Sequence, residues 1–129
     1  MALKRTPKYL PGCKVILFRR QGAAVHFGLR LAGAVAEIPV MPMPDLAELE
    51  TALAEFAATN LHLREPRVHE RFVGRPHEAG WLYYLVEEVH PPHETDQDIL
   101  WDVLPALAPR LGQEDRKALV LAVRFLGRS

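Results

Sequence analysis

Two rhythms of apolar residues run through this chain, and the change from one to the other locates most of its elements. Cys13 to Phe18, CKVILF, is a short run rich in apolar and β-branched residues that suits a buried strand. Arg19-Arg20-Gln21-Gly22 then breaks the run as a turn would. From Ala24 the pattern alternates strictly, with Val25, Phe27, Leu29 and Leu31 on one side and Ala24, His26, Gly28 and Arg30 on the other. A period of two sends successive side chains to opposite faces, so this segment is a strand with one face in the core. The two runs are expected to pair as a hairpin. A third short strand, around Val35 to Val40, leads into Pro39, Pro42 and Pro44. These prolines lack backbone donors and disfavour helix in the residue before each, so the loop is extended and stiff.

The period changes after the loop. Leu46, Leu49, Leu53, Phe56 and Asn60 recur at alternating three- and four-residue steps, which puts the four apolar residues on one helical stripe. Asp45 is the expected cap, Glu48 approximates the second half of a capping box, and Asn60 suits a left-handed stop. Downstream, Val68–Val73 and Trp81–Val89 read as two antiparallel strands joined through Gly74–Gly80, GRPHEAG. WLYYLVEEV is apolar on both faces for its first six residues, which predicts a central strand covered on both sides. His90-Pro91-Pro92-His93 ends it. Asp98–Leu104, DILWDVL, fits either an edge strand or the first turns of a helix, with Pro105 and Pro109 limiting any helix. Glu114–Leu126 predicts a closing helix with Leu119, Val120, Val123 and Leu126 on one side, ended by Gly127. No repeat, low-complexity tract or linker interrupts this order, so residues 1–129 read as one domain, with 1–11 as an N-terminal arm.

Composition narrows the class. A chain of 129 residues, 49% hydrophobic and 25% charged, can bury a single core. Sixteen basic and sixteen acidic side chains cancel, so no global field recruits nucleic acid or an anionic membrane, although a local basic groove is compatible with the balance. The single cysteine, Cys13, has no internal partner for a disulfide and reads as a small buried thiol. The basic start, MALKRTPKYLPG, has no long apolar stretch behind it and does not read as a signal peptide. No apolar run approaches a membrane span. A cytoplasmic protein with no membrane partner is the expectation.

The order of hairpin, short strand, loop and helix, two long strands, tryptophan-bearing segment and final helix resembles the Nudix superfamily. The resemblance extends over roughly Gly12 to Leu126. It rests on Ile38-Pro39 before the loop, the helix ending Thr59-Asn60-Leu61, the tyrosine-rich strand Trp81–Val86, and Trp101 ahead of Leu104 and Leu107. It implies an α/β fold, a Nudix-like α/β/α sandwich around a mixed, largely antiparallel sheet. In that superfamily the loop and helix hold metal in nucleotide pyrophosphohydrolases. A proline there precedes paired glycines, an acidic loop follows, and the helix carries Arg-Glu and then Glu-Glu. Here Pro39 precedes Val40-Met41. With Phe56 at the family's apolar position, Ala54-Glu55 stands for Arg-Glu and Ala58-Thr59 for Glu-Glu. With Asn60-Leu61 at the closing Gly-Leu, Ala57-Ala58 replaces Glu-Glu instead. Either register lacks both glutamates of that pair.

Splitting a pyrophosphate calls for a divalent cation to offset phosphate charge and activate water, and such hard cations want several oxygen ligands presented together. Glu48 and Glu55, seven positions apart, share a helix face and are the weak catalytic candidates. The plainer reading of both is a cap and a solvated surface. No metal ligand is assigned and no cofactor is expected, with magnesium or manganese required only if the chain is a hydrolase. His90 and His93, near Glu94, Asp96 and Asp98, form a loose acidic and histidine cluster without zinc-site spacing, and their prolines favour a connector. Arg64, Arg67, Arg71 and Arg75, with Arg19, Arg20 and Arg30, would form a phosphate cleft if they converged. Pairing with Glu65, Glu70 and Glu78 is the alternative. Trp81, Tyr83 and Tyr84 are candidates to stack a base, although at least two belong to the core of a strand apolar on both faces. The candidate ligand-binding residues are therefore Arg30, Arg71, Trp81 and Tyr83. No serine-histidine-acid set, glycine-rich phosphate loop or Cys-x-x-Cys occurs.

Three functions remain. The first is a Nudix-fold protein with a degraded box that binds a nucleotide, RNA or protein with little or no hydrolase activity. The second is a divergent metal-dependent hydrolase of nucleoside diphosphate derivatives, drawing ligands from Glu37, Glu48, Glu55 and Glu87 or Glu88. The third is a dimerisation or protein-interaction domain, for which a homodimer is the simplest assembly. The first is the expectation.

Overall fold

The N-terminal hairpin forms, but its turn lies later than the arginines suggest. In the computed structural model, which describes residues 12–32, 35–42, 44–74, 82–89 and 99–127 (backbone alone at 32, 35, 46, 70–74 and 82), strand β1 is Gly12–Gln21 and β2 is Ala24–Ala32. Arg19 and Arg20 continue β1, pairing with His26 and Val25, and the chain reverses at Gly22 with φ of 62°. That left-handed conformation suits a residue without a Cβ. The single strand expected from Val35 to Val40 is two short ones, β3 (Val35–Glu37) and β4 (Val40–Pro42). Pro39 between them has no N–H to give a ladder, yet its carbonyl accepts the Val15 N–H at 2.8 Å.

Strands β5 (Pro66–Gly74) and β6 (Leu82–Glu88) pair antiparallel, as their pattern predicts. β6 lies parallel to β1, from Cys13↔Leu82 to Phe18↔Glu87. The sheet runs β3-β2-β1-β6-β5, with β4 also on β1 and β7 (Ile99–Asp102) on β2. The ambiguous Asp98–Leu104 segment thus supplies a strand and then starts a helix. Helix α1 is Leu49–Thr59, the short α2 is Leu104–Leu107, and α3 is Gln113–Gly127. Pro105 is accommodated because the first helical turn has no partner for its missing N–H.

β1 and β6 feed both layers, which explains their apolar character on both faces. Cys13, Val15, Leu17, Tyr84 and Val86 pack with Leu53, Ala57 and Leu61 on the α1 side. Ile16, Phe18, Tyr83 and Leu85 join Phe27, Leu29, Leu119 and Ala122 on the α3 side. Each buried leucine contributes on the order of 1.5–3 kcal/mol. The α3 layer is also pinned by Asp115, which accepts from Lys14 Nζ at 2.9 Å and from the Tyr83 hydroxyl at 2.7 Å. Burial first, then Asp115, pushes the Tyr83 phenol well above its ordinary value.

The helices depart from their expected details. Asp45 Oδ1 accepts the Ala47 N–H at 3.2 Å, so it caps a 3-10 turn at Leu46–Glu48, and α1 proper starts afterwards without a side-chain cap. Asn60 is right-handed (φ −92°), and the left-handed residue is His62 at φ 61°. The buried residues of α1 are Leu53 and Ala57, with Phe56 only half-buried. On α3 they are Ala118, Leu119, Ala122 and Leu126, whereas Val120 and Val123 are exposed. Val120 lies about 100° round the helix from Leu119. Small Ala118 and Ala122 let the helix approach the sheet, an advantage that hydrophobicity alone does not rank.

No helix among the described residues is long and apolar enough to cross a membrane. The expected arm at 1–11, the connection at 75–80 and the His90–Asp98 segment lie outside the described residues.

Candidate functional site

Strand alternation gives the α1 side of the sheet a distinctive row beyond its apolar core. Leu17 pairs with Gly28 and Arg19 with His26, while Gly28 also pairs with Trp101 on β7. Paired residues share a face, so Arg19, His26, Gly28, Arg30 and Trp101 lie on the α1 side. Gly28 makes this row possible. A Cβ there would stand 2.9 Å from Ile99 Cγ2 and 3.1 Å from Cη2 and Cζ3 of Trp101, so the indole uses the space a side chain would fill. The Arg19 guanidinium lies 4.3 Å from the indole centroid, a cation–π contact contributing on the order of 0.5–2 kcal/mol. Trp101 Nε1 is buried and has no hydrogen-bond partner among the described residues.

Next to this row lies Glu88, the buried carboxylate of β6. Its Oε2 accepts the Arg64 N–H at 2.7 Å and its Oε1 accepts the Glu65 N–H at 2.9 Å. The Glu65 carbonyl in turn accepts the Val89 N–H at 3.1 Å. These bonds tie the end of β6 to the loop that returns from α1. Arg19 is two residues beyond Leu17 and Glu88 two beyond Val86; since Leu17 pairs with Val86, the two charged residues are neighbours on one face.

The other face holds a second charged group. Glu87 accepts from His69 Nε2 at 3.2 Å and faces Arg20 Nε at 3.8 Å, and His69 meets Phe18 edge-on at 5.1 Å. Arg67 pairs with Glu87 in the β5–β6 register. The arginines therefore divide, with Arg19 and Arg30 on the α1 side and Arg20 and Arg67 on the α3 side. Among the described residues, these four do not form one cleft.

The candidates read from the sequence divide likewise. Arg30 is half-buried on the α1 side, opposite Glu37 of β3. Tyr83 is fully buried on the α3 side and bonded to Asp115, so its ring has no free face for a base and it does not converge with Arg30. The side chains of Arg71 and Trp81 lie outside the described residues. Glu48 and Glu55 are both exposed, and the 3-10 turn at Glu48 breaks the helical phase that would align them. Glu37 and Glu88 share the α1 side but lie three strand spacings apart, about 14 Å across the sheet, and four residues apart in register (88 − 84 = 4). Glu87 faces the opposite layer. Among the described residues no group of three or more histidine, cysteine, aspartate or glutamate side chains could hold a metal ion. Cys13 is buried, and desolvation pushes its thiol up to about 11, the reverse of what a nucleophile needs.

No family model matches the chain, and no curated protein sequence is significantly similar to it. Solved structures do match. Ap4A hydrolase from C. elegans superposes with a TM-score of 0.67 at 20% identity, covering 89% of this chain and 96% of that one. A binary complex of a C. elegans Ap4A hydrolase gives 0.64 at 19% identity, covering 92% and 99%. RenU, a Nudix hydrolase from M. smegmatis, gives 0.65 at 15% identity, covering 97% and 90%. The mixed sheet between α1 and α3 is thus that of an α/β protein with the Nudix fold, as the order of elements implies. The likeness runs over nearly the whole chain and concerns its fold.

Proposed function

We propose that this Nudix-fold chain binds a nucleotide on the α1 side of its sheet and hydrolyses it little or not at all. The observation that carries this reading is the chemical make-up of that face. Arg19, His26, Arg30 and Trp101 give it cations, donors and an aromatic ring, the groups that recognise phosphates and bases. Its buried carboxylate, Glu88, is already engaged by two backbone N–H groups. Hydrolysis would need converging oxygen ligands for a divalent cation. Glu48 and Glu55 are exposed on the helix, and the position at which one register would have a glutamate, Ala57, is fully buried. Ala58 and Thr59 are exposed and match the other register, again without carboxylates. The C. elegans fold neighbours are Ap4A hydrolases, which makes Ap4A the first ligand to try.

Calorimetric titration with Ap4A, with and without magnesium, tests the reading. Saturable binding that magnesium leaves unchanged, with no nucleotide product on chromatography, is the expected outcome. Magnesium-dependent release of nucleotides by the pure protein would overturn it. Cofactor-free binding also predicts a rise in melting temperature with ligand concentration, because the ligand favours the folded state.

A further inference from the structure

We propose that the outer face of α3 is a docking surface for a second copy of this chain, which meets it with the outer face of its own α1. Such head-to-tail pairing needs no ligand and is independent of nucleotide binding.

The aliphatic residues on the outside of α3 are the starting point. Val120, Leu121 and Val123 are 37%, 44% and 40% exposed, on a helix that already fills the core with Leu119, Ala122 and Leu126. Single exposed aliphatics are ordinary, but these are grouped. Arg116, Val120, Val123 and Gly127 recur at steps of four, three and four residues, which aligns them in one exposed row. Lys117 and Arg124, seven residues apart (124 − 117 = 7), run beside that row. Two exposed aliphatics of the strands face the same side of the sheet. Leu31 pairs with Ala36 of the α3-side core, and Val40 pairs with Lys14, which reaches Asp115.

Charge decides what covers this face. From Arg116 to Gly127 the helix has three cations and no carboxylate. Arg116 donates to the Leu111 carbonyl at 3.1 Å, whereas Lys117 and Arg124 are exposed and have no ion-pair partner among the described residues. From Asp45 to Leu61 the reverse holds, with four carboxylates and no cation. Glu48, Glu50 and Glu55 are exposed there. Thr51 and Ala58 are exposed and small, so a facing helix can come close. A symmetric α3–α3 pair would set Lys117 and Arg124 against their own copies, and an α1–α1 pair would oppose carboxylates. Like charges across an interface are costly. Pairing α3 with the α1 of another copy matches cation to carboxylate and lays the valine row on small residues. Because α1 and α3 cover opposite sides of the sheet, each pair keeps one surface of each kind free, and growth continues to a ring or an open chain. Nucleic acid or an anionic membrane would also attract the cations, yet the row has no aromatic side chain to stack a base or enter a headgroup layer.

Sedimentation velocity on the full chain at rising concentration tests the pairing. The sedimentation coefficient should climb with concentration at low salt and return to the monomer value in about 1 M sodium chloride, where the screening length is about 3 Å. Reversing charge on either face, Lys117→Glu with Arg124→Glu or Glu50→Lys with Glu55→Lys, should weaken association at least about tenfold. All four positions are exposed, so both proteins should melt near the native temperature. An equimolar mixture of the two reversed proteins again sets opposite charges across the contact and should associate where neither does alone. A native chain that stays monomeric at every concentration overturns the proposal. Association that either reversal leaves unchanged overturns it as well, as does a mixture that fails to recover. Binding to phosphatidylserine vesicles or to RNA by a chain that remains monomeric gives the face to another partner and overturns it too. The concentration and salt series uses the native chain alone, so its result does not depend on a variant folding.

Discussion

Gly28 is the residue on which the α1-side row depends most directly. It occupies a polar slot in the alternation of β2, where its missing side chain reads as a neutral gap; its use appears only when β7 is laid alongside. Gly28→Ala must push Ile99 or Trp101 aside, and overpacking of this kind typically costs about 1–3 kcal/mol, to be read as a lower urea midpoint. Arg19 is one of seven arginines that the sequence offers for a phosphate cleft, with no feature to rank it, because its contact with Trp101 joins strands about eighty residues apart (101 − 19 = 82). Cys13 was easier, since an apolar run around a lone cysteine predicts burial. Its thiol keeps a proton up to about pH 11, whereas the unfolded chain loses it near 9.0. Between those values the unfolded state binds fewer protons, so stability falls as pH rises through that window and is unaffected by this group below it. Urea midpoints at pH 8 and pH 10 should differ more for the native chain than for Cys13→Ala.

Elements were easier to read than the contacts between them. The hairpin, α1, the β5–β6 pair and α3 all follow from period and breakers, because both are local properties of the chain. What the pattern misjudged was the angular position of a stripe. Val120 and Val123 outrank alanine in hydrophobicity, yet Ala118 and Ala122 face the sheet because close approach there matters more than side-chain volume. Val120→Lys and Val123→Lys should each change stability by no more than about 0.5 kcal/mol, whereas Leu119→Ala should cost roughly 2–5 kcal/mol in the same denaturation series. Glu88 was equally hidden: as one of two adjacent glutamates at a strand end it looks like solvent-facing charge. Glu88→Ala leaves the Arg64 and Glu65 N–H groups without their acceptor. Their amide exchange should accelerate, and stability should fall by on the order of 1–3 kcal/mol or more, since the lost acceptor is charged.

At the scale of the whole molecule, the described residues form two cores divided by one sheet. α1 closes one and α3 the other, and side chains of β1 and β6 enter each alternately. Substitutions in opposite layers should therefore act independently: Leu53→Val and Leu119→Val, combined, should lose the sum of their separate costs to within about 0.5 kcal/mol in denaturant titrations. The parallel pairing of β1 with β6 has a temporal side as well. Phe18 meets Glu87, sixty-nine residues later (87 − 18 = 69), so β1 leaves the ribosome long before the strand that covers its inner edge. At about 5–20 residues per second that interval is roughly 3 to 14 seconds. Throughout it, the CKVILF segment has only β2 and the short β4 as strand partners, with α1 available to cover one face. A chain that ends before residue 82 should thus be a better chaperone client and a better protease substrate than one that includes all of β6, because until then the central strand of the finished sheet keeps one edge unpaired.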